Sequence, residues 1–119
     1  MLKVTFQGVE TVLAYKTYDN GRLAILLTTK TGEIYAKATT NLPESPLGDN
    51  EILIKDYSEN EGMMDAFVEA GLVEKVISFG GKDPEFGQIT TDYGAKIWVA
   101  RMTPKLLIEA QGIGGGELQ

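Results

Sequence analysis

EILIKDYSENEGMMDAFVEAGL, residues 51–72, is the stretch whose reading decides the fold. Its opening alternates, with Ile52 and Ile54 set against Glu51, Leu53 and Lys55, which is the period of a strand with one buried face. The period then changes. Met63, Met64, Phe67, Val68 and Ala70 recur at helical spacing, so one apolar stripe faces inward while Asp65 and Glu69 point outward. Ser58 stands three residues before Glu61, the spacing of a capping box. In that motif the Ser58 hydroxyl accepts from an unpaired first-turn N–H and Glu61 reaches back to the Ser58 N–H. Glu59, Glu61 and Asp65 place negative charge where the helix dipole favours it. Gly71 supplies the left-handed residue that commonly ends a helix. The stretch thus predicts a strand, a turn at Asp56-Tyr57, and a helix capped by Ser58 and closed at Gly71.

Upstream, the first 40 residues read as a four-stranded antiparallel meander. Leu2, Val4 and Phe6 share a face, Gln7-Gly8 turns the chain, and residues 9–18 alternate again. Asp19-Asn20-Gly21 predicts a hairpin with a type I′ turn, whose positive φ angles Asn-Gly accepts. Leu23, Ile25 and Leu27 line the next strand, and Thr31-Gly32 predicts a second hairpin. Across residues 33–40, Ile34, Ala36 and Ala38 oppose Tyr35, Lys37 and Thr39. Such a meander leaves one apolar face that needs a cover. Residues 41–50, NLPESPLGDN, have the composition of a loop.

Downstream, residues 72–79 return as a strand and 80–86, GGKDPEF, as an exposed loop. Residues 87–91 and 95–102 predict a last hairpin around Asp92-Tyr93-Gly94. Ile97, Val99 and Arg101 take one face of its second strand, and Lys96, Trp98, Ala100 and Met102 the other. Residues 105–110 fit either a strand or a helical turn. Residues 112–119, GIGGGELQ, read as a flexible Gly-rich tail. The sum is a single α+β domain over residues 1–111. It has an antiparallel β-sheet of about five to seven strands, begun by the N-terminal meander, with one main α-helix packed on one face.

Composition bounds the function. With 119 residues and 43% apolar content, the chain suits one globular domain, burying roughly two thirds of its unfolded surface. It has no cysteine, which excludes disulfides, thiolate metal sites and cysteine nucleophiles. It has no histidine, which removes the commonest general base and the commonest metal ligand. No apolar run approaches membrane length, and residues 2–6 are too short for a signal peptide, so the expected compartment is the cytoplasm, without a membrane partner. The net charge of −6 is unevenly placed: residues 44–74 hold nine acids against Lys55 alone, a local balance of −8. Direct binding to nucleic-acid phosphates is not expected there, whereas a basic protein partner is.

The motifs that suggest chemistry fail at their defining positions. Asp56-x-Ser58-x-Asn60 resembles the opening of a calcium loop, but Glu61 and Phe67 stand where that loop needs a glycine and a bidentate glutamate. Gly80-Gly81-Lys82-Asp83 lacks the earlier glycine of a P-loop, with Ile77 in its place, and lacks the Ser or Thr after the lysine. The glycines of the tail do not follow the dinucleotide fingerprint. Ser45, Ser58 and Ser78 have no histidine partner, and nothing singles out a Ser–Lys pair. The helix carboxylates read as solvated, whereas acid–base work needs one of a pair shifted by burial. No catalytic residue, metal ligand or cofactor is assigned. The candidate partner-binding residues are Glu51, Asp56, Glu59, Glu61, Asp65 and Glu69, outward carboxylates that can imitate the spacing of phosphates and draw a basic cleft by long-range steering.

Three pieces of the chain carry a resemblance. They are Asn20-Gly-Arg-Leu-Ala-Ile25; Gly32-Glu-Ile-Tyr-Ala36 with Thr40-Asn-Leu-Pro43; and Ile54-Lys-Asp-Tyr-Ser-Glu-Asn-Glu-Gly-Met63 with Glu69-Ala-Gly-Leu-Val73. Together, over roughly residues 1–75, they resemble an uncharacterised small-domain family of phages, plasmids and mobile elements in Gram-positive and gut bacteria, while residues 80–94 depart from its pattern. The resemblance transfers no catalytic residue. It implies the company of small acidic inhibitors of host defence, of anti-restriction or anti-CRISPR type. The expected function is therefore a non-enzymatic protein-binding module whose acidic helix face engages a basic, nucleic-acid-handling enzyme. Two alternatives stand beside it. One is a self-assembling module that pairs through a sheet edge or the Trp98 face. The other is a small enzyme working without His or Cys.

Overall fold

The computed structural model describes residues 2–42, 47–48, 50–76, 88–90 and 96–118, with side chains described for all but 88–90 and 112–118. Ser45, Ser78, the Gly80–Asp83 motif and the Asp92-Tyr93-Gly94 turn lie outside the described residues.

The first forty residues form the expected meander, β1 (Lys3–Phe6), β2 (Val9–Thr17), β3 (Leu23–Thr28) and β4 (Ile34–Lys37), paired in chain order. The turns differ from the expectation in kind. At Asp19-Asn20-Gly21 only Gly21 takes a positive φ, 87°, and the Gly21 N–H donates to Tyr18 O at 2.8 Å. This is a type I turn with a left-handed third residue, the form that suits a three-residue loop. The same arrangement recurs at Lys30-Thr31-Gly32. The two-residue turn with both φ angles positive is Gln7-Gly8, at 53° and 78°.

The chain then builds a second antiparallel sheet from β5 (Glu51–Lys55), β6 (Val73–Lys75), β7 (Gln88–Thr90) and β8 (Lys96–Met102). The single expected sheet is thus two. β8 is central, with β5 along one edge and both β6 and β7 along the other. The sheets are joined where the chain leaves β4. The Ala38 N–H donates to Ile25 O in the first sheet at 3.0 Å, while Lys55 N–H donates to Ala38 O at 2.9 Å and Thr40 N–H to Leu53 O at 3.1 Å in the second. Backbone groups that a loop would have left to solvent are satisfied by both sheets at once.

The expected main helix covers the core, and a second helix follows β8. α1 (Met63–Glu69) buries Met63, Met64 and Phe67 completely, among Phe6, Ile25 and Leu27 of the first sheet and Ile52, Ile54 and Ala100 of the second. Each such side chain contributes about 1.5–3 kcal/mol by leaving water. Val68, expected in the stripe, is 38% exposed. Leu53, expected to face outward, is buried at 2% on the opposite face of β5 from Ile52 and Ile54. α2 (Pro104–Leu118) resolves the open reading of residues 105–110 as helix, and its helical backbone continues through the segment that reads as a tail. Leu106 is its buried anchor. The Thr103 hydroxyl donates to Gly71 O at 2.7 Å and to Leu72 O at 3.1 Å, tying the entry of α2 to the exit of α1.

The capping box is not formed. Ser58 begins a short 3-10 turn, Ser58–Asn60, with φ of 51°, and neither this turn nor α1 has a side-chain cap at its N-terminus. Tertiary contacts outbid the local motif. Asn60, 4% exposed, donates from Nδ2 to Lys37 O at 2.6 Å, and the Gln7 side chain donates to Glu59 O at 2.7 Å, so both sides of the turn are held by the first sheet. Gly62 then swings the chain at φ 93° into α1, and its N–H donates to Asp56 Oδ1 at 2.7 Å. The exit is as expected: Gly71 N–H donates to Val68 O and Leu72 N–H to Phe67 O, both at 3.0 Å, with Gly71 at φ 74°. Among the described residues no helix is long and apolar enough to cross a membrane.

Candidate functional site

The structure separates the six predicted site residues into three groups. Glu59, Glu61, Asp65 and Glu69 are exposed, the first two on and just after the 3-10 turn and the last two one turn apart on α1, and these four are called the acidic ridge. Asp56 is half-buried at the foot of that ridge, holding the Gly62 N–H. Glu51 lies at the far end of β5, about 16 Å away by the rise of a strand. There it accepts from Gly48 N–H at 2.7 Å and faces the Arg101 guanidinium at 3.9 Å. The sequence placed Glu51 with the helix face because it is near in sequence, but an extended strand carries it away.

Beside the ridge runs a cleft of about 530 Å³. The register of the second sheet explains its floor. Lys75 pairs with Ala100, so Trp98, two residues along β8, is its diagonal neighbour on the same face. Lys96 shares that face by alternation. The Lys75 ammonium sits 5.0 Å from the centre of the Trp98 ring and 3.9 Å from the Asp65 carboxylate, which is 77% exposed. Asp56, Tyr57 and Ser58 line one side as β5 exits, an exit pinned by the Asp56 N–H donating to Lys96 O at 3.0 Å. Glu61, Gly62 and Asp65 line another. The Trp98 indole N–H is buried and has no acceptor among the described residues.

This arrangement is an aromatic floor with carboxylates at its rim, a setting that suits a cation or a zwitterion. It is a poor setting for acid–base catalysis. Glu61 and Asp65 are exposed, the Asp56 oxygen is committed to a backbone N–H, and Asp65 faces Lys75. Among the described residues no group of three acidic side chains could hold a metal ion.

Sequence reasoning missed the cleft as a unit. Lys96 and Trp98 do fall on one face by alternation, but Lys75 joins them only through strand pairing, and that register is not written in either strand alone. It also missed the contact of the Tyr15 hydroxyl with the Glu109 carboxylate, across 94 residues of chain. Burial first, then that hydrogen bond and the charge behind it, push the Tyr15 hydroxyl pKa far above its ordinary 10.0. Burial alone would raise Glu109, but the Tyr15 hydroxyl and the Leu2 N–H outweigh it and hold the carboxyl below its ordinary 4.5. No family model matches this chain, and no curated protein or solved structure shows significant similarity to it.

Proposed function

We propose that this protein is a non-enzymatic binding module whose ridge of Glu59, Glu61, Asp65 and Glu69 engages a basic protein surface. The observation that carries this reading is the exposed charge on a hydrogen-bonded turn and helix. Four exposed carboxylates stand on a turn and helix held by Asp56, by Asn60 and by the hydrogen-bonded exit at Gly71, with Lys75 as the counter-ion in contact. A preorganised row of like charges loses little side-chain and backbone freedom on docking, and it steers a basic partner at long range. Val68, 38% exposed and between Asp65 and Glu69 in sequence, adds an apolar contact to the same surface. The resemblance of residues 1–75 to proteins of phages and plasmids suggests the class of partner, a nucleic-acid-handling defence enzyme of the host, and a compartment to match, the cytoplasm.

The test is capture of partners by the wild-type chain and by the Glu61→Lys/Asp65→Lys/Glu69→Lys variant, at low and high salt and after nuclease treatment. A specific protein that survives nuclease, is lost at high salt and is not captured by the variant supports the reading. Capture indifferent to the three reversals refutes it. A second reading, self-assembly through a sheet edge, draws support from Ile34 (57% exposed) and Tyr35 (39% exposed) on β4, which ends the first sheet. Sedimentation of both proteins separates the two, because pairing along β4 survives reversal of the ridge.

A further inference from the structure

We infer that the cleft over Trp98 is a guanidinium site, which takes an arginine side chain from the protein partner. This inference rests on the ridge being a partner-binding surface and names the group that surface recognises. The structure already holds a cation in the required place. The Lys75 ammonium lies 5.0 Å from the Trp98 ring centre and 3.9 Å from Asp65, within the distance at which an aromatic face attracts a cation. Lys75 reaches there with a long side chain that is 40% exposed, so it can swing aside. A guanidinium is the better occupant. It is planar, so it stacks on an indole face, and it is more weakly hydrated than an ammonium. Its fork of donors also matches a carboxylate edge bidentately.

The rim supplies that edge. Glu61 lines the cleft and is exposed, and Asp65 gains a second donor or exchanges Lys75 for the newcomer. The cleft volume of about 530 Å³ leaves room for the side chain and part of its backbone. Lys96, on the same face as Trp98, sets the cost of a second positive charge and so favours one arginine over a basic cluster at this point. In this view Lys75 is an internal stand-in, occupying the site until an arginine replaces it.

Trp98 is the only tryptophan in the chain, so its fluorescence reports directly on the cleft. The experiment titrates the full chain with an acetylated, amidated Gly-Arg-Gly peptide, and with the same peptide carrying lysine or citrulline. The expected result is a saturable change in Trp98 emission with arginine, a weaker response with lysine and none with citrulline. Glu61→Gln/Asp65→Asn should weaken the arginine response by about threefold or more. Lys75→Ala should strengthen it by about two- to fivefold, the worth of one half-exposed cation–π contact no longer competing. A purely structural Lys75 predicts no gain.

Three results would overturn the inference: no saturable change in either the wild type or Lys75→Ala, an equal response to citrulline, or no gain in binding in Lys75→Ala. The two readings fail separately. An absent peptide response with salt-sensitive, ridge-dependent capture removes the arginine site and keeps the binding module. Capture indifferent to the ridge reversals removes the module, and with it the partner arginine, whatever the peptide does.

Discussion

The joint between β5 and α1 can be tested by one pair of substitutions, because the motif in the sequence and the contact in the structure predict opposite outcomes. A capping box makes Ser58 the important residue, and Ser58→Ala would then cost about 1 kcal/mol. In the structure the Ser58 hydroxyl caps nothing, and the Asp56 carboxylate takes the Gly62 N–H at 2.7 Å. A charged acceptor on a backbone N–H is worth about 1.5–3 kcal/mol. Asp56 is half-buried, so partial access to water brings the expected loss for Asp56→Ala to about 1–2 kcal/mol. Asp56→Asn keeps an acceptor without the charge and should lose at most about 1 kcal/mol. Ser58→Ala should stay within about 0.5 kcal/mol of wild type, as for a surface change away from any cap. For a chain of 119 residues, 1 kcal/mol corresponds to about 4 °C in Tm. Urea denaturation followed by circular dichroism, with thermal melts beside it, resolves these differences. If Ser58→Ala cost as much as Asp56→Ala, the reasoning that tertiary contacts displaced the capping box would be wrong.

Two further outcomes follow from buried polar contacts. Asn60→Ala removes the donor to Lys37 O and leaves that carbonyl without its partner, so it should cost about 1–3 kcal/mol in urea denaturation. Asn60→Asp should cost more, since it sets a carboxylate against a carbonyl oxygen at a position only 4% exposed. The Tyr15–Glu109 contact predicts pH dependence with two signs. The Tyr15 pKa is raised on folding, so its contribution is complete below pH 10.0 and falls away as the pH rises beyond it, where the unfolded chain ionises and the native one keeps its proton. Glu109 is depressed, so its contribution is present above pH 4.5 and is lost as the pH falls below that value. Tyr15→Phe should flatten both limbs of a stability–pH curve, and unchanged limbs would show that the contact is not formed in solution.

The sequence by itself determined the local elements whose signals are written in neighbouring residues. The meander followed from alternation and from turns at Gln7-Gly8, Gly21 and Gly32. The strand at residues 51–55 and the helix carrying Met63, Met64 and Phe67 followed from a change of period, and the helix exit from Gly71. The same alternation put Lys96 and Trp98 on one face. Tertiary structure decided whatever depended on which element lies beside which. The two sheets are joined because Ala38 found hydrogen-bonding partners in both and Thr40 in the second, and a single strand cannot announce its second neighbour. The bonds from Asn60 to Lys37 O and from Gln7 to Glu59 O drew the segment before α1 into a 3-10 turn held against the first sheet, so a well-placed Ser-x-x-Glu yielded to more distant hydrogen bonds. Extension along β5 separated Glu51 from the acidic ridge that charge counting had joined it to. Strand register brought Lys75 across to Trp98 and the rim of Glu61 and Asp65. Charge, spacing and turn chemistry are local and legible in a chain, whereas register and packing are choices among partners far apart in it, made by which pairing buries the most apolar surface and leaves the fewest polar groups unsatisfied.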